Sequence, residues 1–315
     1  MCCKLSSSIL FPKPNYRCKM KNMIKTLKSI KAQVSMKILP YFNWIPVKIR
    51  PLIQVILFWP LDFFNWLKGE RFFFPPRRVM YIIMHASKRE ILENSERDLS
   101  KLIKATNMEP CWEVLDVGCG FGRMALPMLK YLNKNGRYDG IDIVPIGINW
   151  RKRNITPKYP NFNFKTVDIY NKLYNRTGKY KSSEYKFPYE NNSFNLVCLL
   201  SVFPHMRPEE VDNYLSEVSK VLKNNGKCFA ALFLLNEETL QLTKPDFKFV
   251  YDFGQFRSVS KNNPETIIAH PQKDIYKLYT KHNLQINQVY YGTWRGPRQK
   301  NPIDWHQDVI IASKL

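Results

Sequence analysis

The chain has 315 residues, 44% of them hydrophobic and 14% aromatic, enough apolar material for a packed core and too much for a disordered polymer. Its formal charge is +23, and residues 1–50 hold eleven Lys or Arg and no acid, an arm suited to an anionic partner such as phospholipid or nucleic acid. The seven cysteines include no CxxC pair and are odd in number, which argues against zinc-ribbon and disulfide scaffolds and for a reducing, cytoplasmic compartment.

Residues 1–22 read as a disordered basic tail carrying Pro12 and Pro14. From Met23 to Leu39, Ile24, Leu27, Ile30, Val34 and Ile38 recur at helical spacing, with Lys25, Lys28, Lys31 and Lys37 between them. That spacing predicts a basic amphipathic helix of the kind that lies on an anionic surface. The apolar run from Pro51 to Leu61 is broken at Pro60 and followed by Asp62. A spanning helix needs about twenty residues, so the run is too short to cross a bilayer. Trp44, Trp59 and Trp66 are placed as interface anchors are. Residues 23–77 therefore predict a helical appendage with two settings open. One is peripheral or monotopic contact with an anionic membrane through residues 23–67; the other is a subdomain packed on the main fold. The aliphatic and tryptophan runs favour membrane over nucleic acid, which prefers exposed polar-aromatic platforms.

The third region, 78–315, starts with a helical stretch to Ala105 that would bury Ile82, Ile83, Ile91, Leu92, Leu99, Leu102 and Ile103. Glu113 to Val117 reads as a buried strand running into a turn with Gly118, Gly120 and Gly122, then a helix from Arg123 to Asn133. A second buried strand ends in Asp142. Glycines at such a turn admit a ligand without Cβ clashes, and free N–H groups of the new helix would face the same point. An acid about twenty residues on can accept both hydroxyls of a ribose. A nucleoside-containing cofactor is expected here, the alternative being a tight turn in some other α/β protein.

A helix through Ile148–Lys152, a third strand from Asn161 to Asp168 and an insertion from Asn171 to Lys186 with three tyrosines follow. Long connections at strand C-termini often carry substrate contacts. The fourth strand spans Phe194 to Leu200, with Ser201 to Met206 at its mouth. A helix then begins at Arg207 and buries Val211, Tyr214, Leu215, Val218 and Leu222. The fifth strand is Lys227 to Leu235, residues 236–268 read as an irregular insertion, and a helix covers Gln272 to His282. Strands Gln285–Trp294 and Gln307–Ala312 close the chain.

The spacing Asp116-x-Gly118-x-Gly120-x-Gly122 has Arg123 where a dinucleotide site has its third glycine. It resembles the first motif of class I S-adenosylmethionine-dependent methyltransferases, and the strand end at Asp142 resembles their second. Phe194-Asn-Leu-Val197 resembles the fourth-strand motif, with Asn195 where Asp is usual, and Val221–Gly226 resembles the turn before the fifth strand. The resemblance covers about Leu102 to Leu315. It implies an α/β, Rossmann-like, seven-stranded and mostly parallel sheet with an antiparallel last strand. It also implies S-adenosylmethionine as cofactor, held by Asp116, Gly118, Cys119, Gly120, Gly122 and Arg123, by Asp142 and Ile143, by Asp168 and Ile169 at the adenine amino group, and by Ser201 near the methyl group. The helices ahead of the first strand would cover it, near Tyr81 and His85.

His205, at the mouth of the fourth strand, is the candidate general base, with a structural role in the turn as the alternative. Trp294, Arg295, His306 and Asp308 are weaker acceptor-side candidates, for each of which a plain hairpin role is the favoured alternative. The Pro-Pro signature of base and amide N-methylating enzymes is replaced by Ser201-Val-Phe-Pro-His205, so the expected acceptor is a hydroxyl-bearing small molecule, lipid-linked compound or glycan. RNA methylation, or a non-catalytic module recruited to membrane or nucleic acid, is the alternative.

Overall fold

The computed structural model describes residues 88–172, 174–242, 246–296 and 303–315. The basic tail, the amphipathic helix, the tryptophan-rich run, Tyr81 and His85 lie outside the described residues. Among the described residues no helix is long and apolar enough to cross a membrane.

Strands β1 (Glu113–Val117), β2 (Arg137–Asp142), β3 (Phe162–Thr166), β4 (Phe194–Leu199), β5 (Leu222–Leu232), β10 (Leu284–Tyr290) and β11 (Asp308–Lys314) form one sheet in the order β10-β11-β5-β4-β1-β2-β3. Pairs β5/β4, β4/β1, β1/β2 and β2/β3 are parallel, and β11 runs antiparallel to both its neighbours. Strands sandwiched between helices must be apolar on both faces, and alternation divides them: Leu115, Val197, Ala230 and Ile310 join one core, Val114, Leu196, Phe229 and Ile311 the other. Helices α1 (Lys88–Thr106), α2 (Ala125–Tyr131) and α3 (Pro145–Asn154) cover the second face; α4 (Pro208–Val221) and α6 (Gln272–Lys281) cover the first.

Local chemistry sets the boundaries. Helix α1 ends where Asn107 takes φ +52, the left-handed conformation that stops helices. Helix α2 begins two residues later than predicted, because the glycine turn runs on through Met124. The turn predicted at Val221–Gly226 lies inside β5: Phe194 pairs with Leu222 and Leu196 with Lys227, the extra residues bulging out around Asn225 at φ +61.

The stretch 236–268 corrects the expectation of an irregular insertion. It contains α5 (Glu237–Leu240), β7 (Tyr251–Asp252) and β8 (Arg257–Ser258), which join β6 (Leu234–Leu235) and β9 (Ile268–Pro271) in a second sheet of order β6-β9-β8-β7. Phe233, Phe249, Ala269 and Trp294 pack as its core. Trp294, an acceptor-side candidate, is thus a core residue at 1% exposure. Arg295 and Asp308 are also withdrawn from solvent. The Asp308 carboxylate accepts from Arg295 Nε at 2.9 Å and Nη2 at 3.0 Å, and from the amides of Gly292 at 2.7 Å and Leu234 at 2.8 Å. Four donors on one buried carboxylate latch β11 to the small sheet.

Removing one partner of a buried pair strands the other charge, which costs about 3–5 kcal/mol. Asp308→Ala is therefore expected to lower the stability measured by urea unfolding by that order; a loss under about 1 kcal/mol, the scale of an exposed pair, would show that the latch bears no weight.

Candidate cofactor and transfer site

From β1 the chain winds outward through β2 and β3, and from β4 it winds the other way through β5. Their neighbouring C-terminal ends make a topological switch point, the crevice where open α/β sheets bind ligands. The two exits touch: Gly118 has φ +72, and a Cβ there would lie 2.6 Å from Val202 Cγ2. Neither the conformation nor the space admits a side chain.

The turn's amides are not free. Gly118 and Cys119 both donate to the Ile141 carbonyl, at 2.8 and 3.0 Å, Gly122 donates to the Cys119 carbonyl at 2.9 Å, and Gly120 donates to Asp142 Oδ2 at 2.8 Å. The expected ring of open donors is thus partly closed by the end of β2, and at these positions the turn offers bare backbone shape. The other Asp142 oxygen accepts the Val144 amide at 2.8 Å. Burial raises this carboxyl, against the pull of the Val144 and Gly120 amides and Arg151. Each oxygen keeps a further lone pair.

The remaining predicted residues divide by setting. Asp116 is 2% exposed and accepts the Tyr138 hydroxyl at 2.6 Å. Cys119 is buried, and burial pushes its thiol far above the ordinary range, so it packs rather than reacts. Arg123 pairs with Asp98 of α1. Ile143 is half-buried beside Asp142, and Ile169 is 2% exposed. The half-buried Asp168 accepts the Lys179 amide at 3.3 Å, and its carbonyl takes the Tyr180 amide at 3.0 Å, so the tyrosine insertion folds back over the exit of β3. Ser201 has φ +60 and its hydroxyl donates to Gln307 Oε1 at 3.0 Å.

His205 lies on the 3-10 turn Phe203–His205, with Nδ1 3.0 Å from the Glu265 carbonyl and its ring edge-on to Tyr174 at 6.0 Å. Burial raises the Tyr174 hydroxyl, and the Asp142 charge raises it further. His306 lies apart, paired with Asp246 at 2.9 Å.

Arg151, Tyr174 and Glu265 were not singled out by sequence. Arg151 is fully buried beneath the turn, donates to the Gly120 carbonyl and lies over the Phe164 ring at 5.1 Å. Its spacing from Ile148 and Ile155 was a signal, since i, i+3 and i+7 share a helix face. Tyr174 fell within the insertion noted for its tyrosines. Glu265 had no local signal.

Residues 114–226 match a family described as methyltransferase domain. Among curated proteins, the ubiquinone biosynthesis O-methyltransferase of Pelagibacter ubique (strain HTCC1062) is 27% identical over 158 residues, covering 50% of this chain and 53% of that protein. The chain thus spans about half the length of that relative. Among solved structures, the PH0226 protein of Pyrococcus horikoshii OT3 aligns with a TM-score of 0.50 at 15% identity, over 75% of this chain and 98% of that one. A Burkholderia thailandensis 1,6-didemethyltoxoflavin-N1-methyltransferase, solved with bound S-adenosylhomocysteine, aligns at a TM-score of 0.44 and 17% identity, over 70% of this chain and 79% of that one. Residues 114–226 thus match a methyltransferase domain, for which the resemblance of the glycine turn and the Asp142 strand end to class I methyltransferases implies S-adenosylmethionine as cofactor. The crevice fits that cofactor: side-chain-free backbone at the turn lies beside a carboxylate with lone pairs to spare.

Burial raises the Asp116 carboxyl from 3.8 to about 7, against the pull of Tyr138 and Arg151. A carboxyl raised in the folded state stabilises it fully below the unfolded value and loses that contribution as pH climbs through the folded one. Asp116→Asn is therefore expected to make the decline in stability between about pH 4 and about pH 7 shallower. Parallel wild-type and variant curves in pH-dependent urea unfolding would contradict this.

Proposed function

We propose that the chain transfers the methyl group of S-adenosylmethionine to a hydroxyl of a small, lipid-linked or glycan acceptor, with His205 as general base. The observation that carries this reading is the 3.0 Å contact between His205 Nδ1 and the Glu265 carbonyl. A carbonyl only accepts, so Nδ1 holds the hydrogen and Nε2 keeps its lone pair. That is the tautomer a base needs.

In this reading Gly118, Gly120 and Gly122 let the cofactor lie against backbone, and Asp142 takes the ribose hydroxyls with Ile143 alongside. Asp168 and Ile169 meet the adenine amino group, Arg123 steers the carboxylate and Ser201 borders the methyl group. Asp116 and Cys119 support the turn from beneath. Bound S-adenosylmethionine supplies a methyl group on a sulfonium sulfur and leaves as S-adenosylhomocysteine. His205 Nε2 takes the acceptor's hydroxyl proton as its oxygen bonds to the methyl carbon, and the Glu265 carbonyl stabilises the imidazolium that forms.

The likeness to an O-methyltransferase supports a hydroxyl acceptor. Tyr170, Tyr174 and Tyr180, exposed by 49, 47 and 57%, supply amphipathic rings for an acceptor with an apolar body. The basic amphipathic arm at residues 23–67 favours a lipid-linked one met at an anionic membrane surface. The charge of +23 keeps RNA as the second reading.

Asp142→Ala is expected to abolish S-adenosylmethionine binding in calorimetry; undiminished affinity would remove Asp142 from the ribose site. With labelled cofactor and fractionated lipid, glycan, RNA and protein extracts, label should enter a hydroxyl-bearing lipid or glycan fraction. Label in RNA alone would select the second reading. His205→Asn should slow that transfer roughly a hundredfold with cofactor affinity unchanged, and a wild-type rate would exclude His205 as the base.

A further inference from the structure

His205 does not hold its own orientation. Its only hydrogen-bond anchor among those described is the carbonyl of Glu265, sixty residues away on a second 3-10 turn, Pro264–Thr266. That turn belongs to the small-sheet insertion, so the imidazole depends on how the insertion sits against the exit of β4. Several contacts fix this. His270 of β9, 1% exposed, lies 3.4 Å through Nε2 from the Phe203 carbonyl at the start of the His205 turn. The buried Ser258 hydroxyl lies 2.8 Å from the Pro264 carbonyl and 3.1 Å from that of Ile267, bracketing the Glu265 turn.

One contact acts on Glu265 itself. Its Oε1 accepts from Arg207 Nε at 2.9 Å and from Nη2 at 2.7 Å. Arg207 starts α4, and its own amide donates to Glu210 Oε2 at 2.7 Å, so its main chain is tied to a helix packed on the large sheet. The residue thus joins the frame carrying His205 to the turn supplying its partner carbonyl, using two donors on one oxygen. A fork of this kind restricts direction as well as distance.

The magnitude separates positioning from stability. The Arg207 and Glu265 side chains are 47 and 21% exposed, and ion pairs that wet add little to folding. A displaced catalytic group, by contrast, costs rate steeply. The charges around the pair are Glu209 and Glu210 on α4 and Lys172 from the tyrosine insertion, while Tyr174 closes the other side of the imidazole.

We propose that Arg207 is a positioning residue: by clamping the Glu265 side chain it holds the Glu265 carbonyl on His205 Nδ1 and so selects the tautomer whose Nε2 can accept a proton. The inference rests on the proposed role of His205, but the tautomer can be read without turnover.

The test uses the full chain labelled with 15N-histidine and long-range proton–nitrogen spectra, with the His205 signals assigned by their loss in His205→Asn. Wild type should show His205 as the Nδ1–H form. Arg207→Gln and Glu265→Gln should each shift it toward the Nε2–H form, and Arg207→Lys, which keeps the charge without the fork, should fall between. Turnover should drop roughly tenfold to a hundredfold in Arg207→Gln, with cofactor affinity and acceptor KM within about twofold of wild type. The double variant should lose no more than either single one, since both break one bond. Thermal unfolding of both single variants controls for folding, and either alone reads the bond. An Nε2–H form in wild type, or an unchanged Nδ1–H form in the folded variants, overturns the clamp. Wild-type turnover in His205→Asn overturns the proposed base instead, and leaves the tautomer result to judge the clamp alone.

Discussion

The end of β2 closes the glycine turn with main-chain and carboxylate bonds. The Ile141 carbonyl takes the amides of Gly118 and Cys119, and the Asp142 carboxylate takes those of Gly120 and Val144. Arg151 reaches the Gly120 carbonyl from beneath. These contacts bring the exits of β1 and β2 and the start of α3 into one rigid piece. The positive φ of Gly118, Gly120 and Gly122 follows from that closure, because the backbone must curl tightly enough to present successive amides to β2. Asp142 is the clasp of the turn and also the acid proposed to take the ribose, a reading in which binding and loop shape are coupled through one carboxylate.

The surroundings of His205 are built differently. The mouth of β4, the tyrosine insertion after β3 and the small sheet after β5 converge on His205. None of these belongs to the regular βα frame. A regular frame that carries the glycine turn, with insertions around His205, follows the usual division of labour, in which the scaffold positions and the loops specify. The four-donor latch on Asp308 fastens the small sheet to the last strand.

The glycine turn and the acid that closes it were legible in the sequence because their signals are local. A buried strand, three glycines at fixed spacing and an acid ending the next strand lie between Glu113 and Asp142, and each has one strong physical reading. The seven-stranded sheet with an antiparallel last strand was implied by the family resemblance, and the structure adds its strand order. The surroundings of His205 and the small sheet were not legible, for three reasons. Strands β6, β7 and β8 have two residues each, too few for any period. The bond from Glu265 to His205 spans sixty residues, and nothing around Pro264 marks it. Trp294, Arg295 and Asp308 stayed open between weak acceptor-side candidates and plain hairpin residues, because polar and aromatic residues near a strand end look the same whether they meet substrate or one another. Burial decides between these, and burial is a property of the assembled fold. Arg151 shows the converse: nothing singled it out from a run of three basic residues, although it shares a helix face with Ile148 and Ile155.

The central claim is that Asp142 and His205 face one crevice, the first toward the ribose and the second toward the reacting methyl group. A crystal structure of the chain with S-adenosylhomocysteine tests it most directly. The expected result is a ribose with both hydroxyls on the Asp142 carboxylate, and a sulfur facing His205 Nε2 across a gap open to an acceptor. A ribose seated away from Asp142, or a His205 imidazole turned from the sulfur with Nε2 bonded inside the protein, would contradict the account.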